Sequence, residues 1–504
     1  MTDNFLPPLI QQMLQADFYP HPVSEPIEVI QTHVSYVLLT GEYAYKVKKP
    51  VNFGFLDFST LEKRQFFCQE ELRLNQRGAA SLYLEVIPLT QEGDQYQLGG
   101  KGETAEYAVK MRQFPQTALF NELFDRGELT EDLLKRLALE LAQFHQRTVS
   151  NDYIQSFGTV AKIRQAIDEN YEQTEKYIGG PQTQEQFDQT RQYTDRLFAE
   201  QEALFNQRIA SNSIRECHGD VHLRNIALWQ DQILLFDCIE FNEPFRFVDF
   251  MFDIAYIVMD LDARDRRDLS NVFLNTYIEQ TGDWEGLQVL PLYLSRQSYV
   301  RAKVTSFLLD DPSVPEAVKQ EAATTAARYY RLAWEYTRSR PGSLSLMAGL
   351  SGSGKSTTAA HLARQTGAIH IRSDAVRKHL AGIPLLERGG SEIYTPEMTQ
   401  KTYDRLLHLG ITLANQGYAE YDRQALRQAV ITQAESHHLP LKIFSCTAPM
   451  EVLAQRLRQR QGDIADATAD LLPTQQMDPF TAEEQPYVIS LDTTRDLEAQ
   501  LKAE

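Results

Sequence analysis

CHGDVHLRNIALWQDQILLFDCIEF, residues 217–241, sets polar residues among apolar runs. The runs NIALW and ILLFDC have the composition of β-strands and the polar QDQ between them suits a tight turn, so the segment predicts a β-hairpin. His218, Asp220 and Asn225 precede the first strand and Asp237 ends the second, so hairpin pairing would bring Asn225 and Asp237 to the same end. Two oxygens suited to a metal ion and one spare carboxylate would then converge, as phosphoryl transfer from a magnesium nucleotide requires.

The bulk composition narrows the class of protein. The chain has 504 residues and 42% hydrophobic content, enough for a large core and for more than one domain. A formal net charge of −19 disfavours a general binder of nucleic acid or anionic membranes. The N-terminus lacks the pattern of a signal peptide, and no apolar run approaches the roughly 20 residues that span a bilayer. The cysteines show no metal-type or disulfide spacing, so we expect a cytoplasmic protein in a reducing compartment.

Three zones along the chain differ in pattern. Residues 25 to about 115 alternate as β-strands do around one helical segment, and residues from about 116 to 337 have helical periodicity that the hairpin interrupts. RSRPGS, residues 338–343, contains Pro341 and Gly342 and predicts a linker. Beyond it, LSLMAGL begins an alternation of strands and helices. We therefore predict an α+β domain over residues 1–340, with a small and a helical lobe, and an α/β domain over residues 341–504.

The first domain carries the pattern H-x-D-x-x-x-x-N and a later Asp in a helical lobe that follows a β-rich lobe. This arrangement resembles the aminoglycoside phosphotransferase branch of the protein-kinase-like fold, over roughly residues 25–335. The resemblance is closest to bacterial proteins that fuse such a domain to a C-terminal P-loop kinase-like domain of AAA or zeta-toxin type. It implies that Asp220 orients and deprotonates the acceptor hydroxyl, that Asn225 and Asp237 hold magnesium, and that His218 braces the loop.

Such a fold also needs a cation over the nucleotide phosphates and a carboxylate that positions it. In GEYAYKVKKPV, Lys46 projects from the same strand face as Ala44, which is the pattern of the phosphate-binding lysine in kinases. Lys48 lies on that face too and remains a rival. On the following helix, Glu71 matches the family position of the partner best and Glu70 is second.

An unpaired carboxylate would be costly in the apolar stretch FRFVDFMFDIAYIVMDL, which holds Asp249 and Asp253. The residues DIA at 253–255 match the family motif that buttresses the catalytic loop. The resemblance therefore implies a loop-bracing role for Asp253. His222 has two interpretations, contact with phosphate or substrate and bracing of the loop.

The second domain contains GLSGSGKS, which satisfies G-x-x-x-x-G-K-[ST] between a strand-like run and a helical one. Glycines allow backbone N–H groups to close around phosphate, Lys355 reaches the outer phosphates, and Ser356 binds magnesium. The residues predicted to bind nucleotide here are Gly349, Gly352, Gly354, Lys355, Ser356 and Thr357.

Two later segments complete the expected nucleotide site. AIHIRSDAVRKHL reads as a strand that ends in Ser373 and Asp374, followed by a helix with Arg377. It resembles the acceptor segment of small P-loop kinases, which implies that Asp374 engages a substrate hydroxyl. APMEVLAQRLRQR resembles the lid helix, from which Arg456 and Arg460 would reach phosphate; an exposed charged helix is the alternative.

The second domain departs from this family at one point. In such kinases a buried strand that ends in Asp follows the helix after the acceptor segment and supports the magnesium shell. Here the helix ending LGITLANQGY runs directly into the helical AEYDRQALRQAV. We therefore expect a parallel sheet that lacks one central strand, missing between Tyr418 and Ala419, with Asp422 as the nearest carboxylate.

Taken together, these patterns predict an ATP- and Mg²⁺-dependent kinase that phosphorylates a hydroxyl of a small molecule, fused to a P-loop ATP-binding domain. Its partner is expected to be that small molecule, with no nucleic acid and no membrane. The alternative is a nucleotide-binding regulatory protein, in which the P-loop domain senses ATP or GTP and gates the first domain. Because this fold serves many hydroxylated acceptors, the sequence leaves the acceptor open.

Overall fold

The computed structural model describes residues 6–338, 342–414 and 424–502. The chain divides into two compact units, and neither is one continuous segment. The first comprises Met1–Arg136, Gln143–Glu169 and Asp195–Asp260, and the second comprises Leu137–Ala142, Asn170–Thr194 and Leu261–Glu504. Residues 339–341 of the predicted linker lie outside the described part of the chain, so the division at 340 stays a prediction.

The first unit contains a six-stranded antiparallel sheet with the strand order β1-β2-β3-β6-β4-β5. One face packs on a short N-terminal helix through a cluster that includes Met13, Leu38 and Val47, and the other packs on a long helix through Cys68 and Val109. The strands and helices of this lobe are α1 (Pro8–Gln12), β1 (Glu28–Gln31), β2 (Ser35–Leu39), β3 (Tyr43–Lys48), α2 (Leu61–Ala79), β4 (Tyr83–Glu92), β5 (Gln95–Leu98) and β6 (Glu103–Arg112).

Helices dominate the chain from residue 120 to residue 336, and two short antiparallel strand pairs interrupt them. The predicted hairpin is confirmed, since β8 pairs with β9 in the register Ile226↔Leu235; β7 pairs with β10. The elements are α3 (Phe120–Asp125), α4 (Glu131–Arg147), α5 (Asp152–Gln155), α6 (Val160–Thr174), α7 (Gln184–Glu200), α8 (Glu202–Ala210), β7 (Ile214–Glu216), β8 (Ile226–Trp229), β9 (Gln232–Leu235), α9 (Glu243–Arg246), β10 (Phe247–Asp249), α10 (Phe250–Asp262), α11 (Arg267–Thr281), α12 (Leu290–Asp310) and α13 (Glu316–Tyr336).

The C-terminal part of the second unit is a parallel α/β domain. Its described strands pair in the order β11-β12-β13, and Met347, Phe444 and Leu491 contribute to its core. The elements are β11 (Leu344–Ala348), α14 (Lys355–Thr366), α15 (Ser373–Ala381), α16 (Pro396–Ala414), α17 (Gln424–Ser436), β12 (Leu441–Thr447), α18 (Met450–Gln459), β13 (Val488–Asp492) and α19 (Leu497–Leu501). The predicted fold class, a kinase-like region followed by a parallel-sheet P-loop domain, is confirmed.

One predicted strand of this domain is wrong. AIHIRS does not pair with any described strand, and helix α15 begins at Ser373, so Asp374 lies in its first turn. A β-strand requires a hydrogen-bonded neighbour, and the strand that would adjoin this segment is the one expected to be missing. The expected gap between Tyr418 and Ala419, and Asp422, lie outside the described residues. Among the described residues, no helix is both long enough and apolar enough to cross a membrane.

Candidate active site

The end of the β8–β9 hairpin brings the predicted metal ligands together. The N–H of Phe236 donates to the carbonyl oxygen of Asn225 at 3.1 Å, which places Asn225 across from the residue before Asp237. Asp237 has φ +63°, a left-handed conformation that Asp tolerates better than most residues. The side-chain amide of Asn225 donates to the carbonyl oxygen of Asp220 at 2.9 Å and lies 3.4 Å from its carboxylate. Asn225 thus contacts Asp220, and Asp237 directly follows the residue that bonds to the backbone of Asn225.

Lys46 on β3 connects this hairpin to the small lobe. Its ammonium lies 2.7 Å from the carboxylate of Glu71 on α2 and 2.8 Å from that of Asp237. Asp237 remains 47% exposed, whereas Glu71 is fully buried. Lys46 therefore contacts the predicted helix partner and a predicted metal ligand at once.

Lys48, the rival lysine, has a different environment. Its ammonium lies 2.6 Å from Glu71 and 2.5 Å from Glu240, and its side chain is 1% exposed. Lys46 and Lys48 are separated by one residue on β3, so their side chains lie on the same face of the strand. Both face α2, as the strand periodicity predicts. Lys46 thus lies beside the half-exposed Asp237, whereas Lys48 is buried between Glu71 and Glu240, and phosphate binding by Lys46 stays a prediction.

Glu240 is a member of this cluster that sequence analysis missed. It lies three residues after Asp237 and is buried. The available signal was an acidic residue in the apolar run CIEF, where a carboxylate needs a partner. Glu70, the second choice for the helix partner, instead pairs with Arg73 at 2.8 Å.

Burial and neighbouring charges have opposing effects on the pKa values of the residues in this cluster. Burial alone would lower the pKa of Lys46, but Asp237 and Glu71 outweigh it and raise that pKa well above its ordinary value. Burial opposes ionisation of Glu71, yet the two lysines hold its pKa below the ordinary value. The pKa of Glu240 is raised, because burial and the nearby Glu71 outweigh Lys48. Lys46 therefore stays charged, and Glu240 is the carboxylate most easily protonated in this group.

The loop before the hairpin is held by Asp253 of α10. One carboxylate oxygen accepts the N–H of His218 at 2.8 Å and the other accepts the N–H of Gly219 at 2.8 Å. Nε2 of His145, on α4, lies 3.1 Å from the same carboxylate. Gly219 has φ +87°, and a Cβ there would lie 2.6 Å from the carbonyl oxygen of Phe245, so the position requires glycine.

The ring of His218 spans the hairpin end. Its Nε2 lies 2.9 Å from the carbonyl oxygen of Phe236, and its Nδ1 accepts the N–H of Asp220 at 3.3 Å. These contacts, with those of Asp253, are the ones that loop-bracing residues would make. The bracing roles of both residues stay predictions that agree with the geometry.

Asp220 lies beside a second histidine. Its carboxylate is 3.4 Å from Nε2 of His222, while Nδ1 of His222 accepts the N–H of Arg224 at 3.2 Å. Because Nδ1 accepts, the neutral ring carries its proton on Nε2, the ring nitrogen nearer to Asp220. Asp220 is 31% exposed, so a hydroxyl from solvent has access to it.

The P-loop begins where β11 ends and closes at the first turn of α14. Gly349 and Gly354 have φ +146° and +93°, and a Cβ on Gly349 would lie 2.4 Å from the carbonyl oxygen of Cys446. The ammonium of Lys355 donates to the carbonyl oxygens of Gly349 at 2.7 Å and Leu350 at 3.1 Å. The sequence therefore folds into the loop whose backbone N–H groups cradle phosphate in such proteins.

A cavity of about 470 Å³ adjoins this loop. Its lining includes most of the predicted nucleotide-binding residues together with the acceptor segment: Gly352, Gly354, Lys355, Ser356, Thr357, Arg372, Asp374, Arg456 and Arg460. Burial raises the pKa of Asp374 above its ordinary value, against the effect of Arg372 and Arg377. The guanidinium of Arg456 donates to the carbonyl oxygen of Gly352 at 3.3 Å and to the hydroxyl of Thr493 at 2.8 Å, so phosphate contact by Arg456 or Arg460 stays a prediction.

Comparison with known proteins extends over nearly the whole chain. An uncharacterized protein of Mycobacterium tuberculosis (strain H37Rv) is 30% identical over 462 residues, which cover 90% of this chain and 90% of that protein. The chain belongs to the same family. Because the match spans both the kinase-like region and the P-loop domain, their combination is a property of the family.

Residues 344–482 also match the model of an AAA domain. Among solved structures, the GDP complex of aminoglycoside 2'-phosphotransferase-IIIa is 13% identical and covers 64% of this chain and 97% of its own, with a TM-score of 0.39. A gluconokinase from Sinorhizobium meliloti 1021 is 23% identical and covers 33% of this chain and 90% of its own, with a TM-score of 0.24. An antiparallel sheet, a helical region and then a parallel α/β domain follow one another along the chain, which is the order that the predicted resemblance implies.

Proposed function

We propose that the kinase-like region transfers the γ-phosphoryl group of ATP to a hydroxyl group of a small molecule. The observation that supports this proposal best is the position of Lys46. It lies 2.7 Å from Glu71 and 2.8 Å from Asp237, at the hairpin end that also holds Asn225 and Asp220. A cation for the phosphates, two oxygen donors for a metal ion and one carboxylate for the acceptor are thus close together.

The residues at the hairpin end fit a magnesium ion. The side-chain amide nitrogen of Asn225 bonds to Asp220, which leaves its amide oxygen to bind a cation, and the carboxylate of Asp237 is 47% exposed. Both are hard oxygen donors of the kind that Mg²⁺ prefers. When bound with ATP, the ion supplies positive charge to the phosphates. Lys46, held by Glu71, keeps a second positive charge beside Asp237.

Asp220 acts on the acceptor in this proposal. Its carboxylate orients the hydroxyl and takes its proton as the hydroxyl oxygen forms a bond to the γ-phosphorus. The bond from that phosphorus to the bridging oxygen breaks, and ADP leaves with the bridging oxygen. Asp253 accepts the N–H groups of His218 and Gly219, and His218 accepts the N–H of Asp220. These bonds fix the loop that carries the carboxylate.

The P-loop domain binds a second nucleotide through its backbone cradle, Lys355 and Ser356, and Asp374 faces an acceptor hydroxyl in the adjoining cavity. A carboxylate whose pKa is raised by burial is a better proton acceptor near neutral pH than an exposed one. The alternative, in which this domain senses ATP or GTP and gates the first site, uses the same nucleotide contacts.

Transfer of radiolabel from ATP to a library of hydroxylated metabolites tests the proposal on the full chain. We expect Lys355→Ala to retain a labelled product and Asp237→Ala to lose it. If every labelled product disappeared in Lys355→Ala and all of them persisted in Asp237→Ala, the assignment to the kinase-like region would be contradicted. Under the gating alternative, Lys355→Ala would change the rate of the Asp237-dependent reaction, and that rate would respond to GTP or ATP at the second site.

Metal dependence is a separate expectation. In a Lys355→Ala background, calorimetry should show that Mg²⁺ tightens ADP binding, and Asp237→Ala should remove this effect because a metal ligand is removed. Asp231→Ala, in the exposed turn of the same hairpin, is the matched control and should leave it unchanged. Equal magnesium effects in both variants would exclude Asp237 as a ligand.

A further inference from the structure

The acceptor segment of the P-loop domain has an unexpected neighbour. Asn271 and Asn275 of α11 donate through their side-chain amides to the carbonyl oxygen of Ala368, at 2.8 and 3.1 Å. The N–H of His370 donates to the side-chain oxygen of Asn275 at 2.6 Å. Helix α11 belongs to the predicted helical lobe, yet it lies in the same compact unit as this segment.

The bonding pattern of Asn275 reproduces that of a β-strand. In a parallel ladder, one residue donates its N–H to a carbonyl and accepts an N–H two residues further along the neighbouring strand. The side-chain amide of Asn275 does the same on either side of Ile369, which is 3% exposed. A side chain therefore satisfies backbone groups that an adjoining strand would otherwise satisfy, and these groups would be costly to bury unbonded.

The contact continues along one face of α11. Asn271, Asn275 and Glu279 are spaced four residues apart, so they lie on the same side of the helix. The carboxylate of Glu279 is 3.8 Å from the guanidinium of Arg372, and its carbonyl oxygen lies 2.8 Å from Nε2 of His379. Beyond the helix, Glu285 forms an ion pair with Arg405.

These contacts end at the residues that face the cavity. Arg372, which Glu279 and Asp463 engage, lines the cavity and directly precedes Ser373 and Asp374. Helix α11 thus contacts this segment at Ala368, His370 and Arg372, directly before the turn that contains Asp374. Its path depends on a helix that precedes the P-loop domain in the chain.

We propose that α11 takes the place that a neighbouring strand would have beside the acceptor segment, and that Asn275 is a positioning residue for Asp374. The role of Asp374 rests on the proposed function, whereas the replacement of a strand by α11 does not. As a consequence, the acceptor side of the P-loop domain is built jointly with the helical lobe. Nucleotide contacts at the P-loop itself, which involve other residues, should be independent of Asn275.

Hydrogen exchange on the full chain tests whether α11 takes the place of a neighbouring strand. Asn275→Leu removes both the donor and the acceptor at similar size, so amides at 368–374 should exchange roughly five- to tenfold faster. Thr276→Val is the matched control, because the Thr276 hydroxyl bonds within its own helix, to Val272. Unchanged exchange at 368–374 in Asn275→Leu would overturn the proposal. If this variant does not fold, Asn271→Leu provides the same measurement.

ADP affinity distinguishes positioning from general loosening. In an Asp237→Ala background, Asn275→Leu should leave ADP affinity at the P-loop within about twofold, because the hydrogen bonds that Asn275 makes lie outside the phosphate cradle. A loss of affinity that parallels the faster exchange would overturn the positioning role. Absence of ADP binding in every variant of this background, Asn275→Leu included, would contradict the nucleotide site proposed for the P-loop domain, while the exchange result would still decide the role of α11.

Discussion

Replacement of Asp220 by Asn is expected to slow phosphoryl transfer at the kinase-like site by about 10²–10⁴-fold, the usual range for a general base. The amide has nearly the shape of the carboxylate and keeps a carbonyl oxygen, so the loop should retain its path. It cannot take a proton from the acceptor hydroxyl. Magnesium-dependent nucleotide binding should remain nearly unchanged, because Asn225, Asp237 and Lys46 are intact.

The measurement combines single-turnover transfer with calorimetric binding of ADP and Mg²⁺, both in a Lys355→Ala background that silences the P-loop. Asp231→Asn provides the matched control, since Asp231 is 89% exposed in the turn of the same hairpin and pairs with Arg136 at the surface. Full turnover by Asp220→Asn would show that this carboxylate is not the base. Loss of nucleotide binding would instead show that Asp220 holds the metal or the loop.

The hairpin and the P-loop could be predicted from sequence because each is local. A turn between two apolar runs determines which residues meet at the hairpin end, and glycine spacing determines the phosphate cradle. Asn225 and Asp237 therefore lie together as expected. The strand predicted at AIHIRS failed for the opposite reason, because a strand depends on a neighbour elsewhere in the chain. Here the neighbour is the helical residue Asn275.

The different surroundings of Lys46 and Lys48 could not be predicted from the sequence. Strand periodicity places both on one face, and both ammonium groups contact Glu71. What separates them is the second carboxylate that each one meets, Asp237 or Glu240, and these two residues lie only three positions apart in the chain. Between the strand and Glu240 the backbone turns at Asp237, where φ is positive. No periodicity in the sequence encodes that turn.

Loss of Lys48 is expected to destabilise the protein much more than loss of Lys46. Lys48→Met leaves Glu71 and Glu240 buried without their shared cation, and removal of one partner of a buried ion pair costs about 3–5 kcal/mol. Lys46 is 14% exposed and its partner Asp237 is half exposed, so solvent can compensate for part of its loss. Lys46→Met should therefore fold, but lose transfer activity.

Urea and thermal unfolding of the two variants measure this difference. Lys49→Met is the matched control, because Lys49 directly follows β3 and donates to the carbonyl oxygen of Thr32 at 2.7 Å, away from the buried carboxylates. The deficit of Lys48→Met should depend on pH in a defined direction. Burial and Glu71 already raise the pKa of Glu240, and loss of Lys48 removes the charge that opposes them. When the pKa of a carboxyl group is raised in the folded state, the protein loses stability as pH rises through that pKa. The deficit of Lys48→Met should therefore grow from acidic to neutral pH.

Lys48→Met/Glu240→Gln should recover part of the loss of stability at neutral pH, because the second buried charge is gone. Equal stability of Lys48→Met and Lys49→Met at neutral pH would contradict the structural role of Lys48.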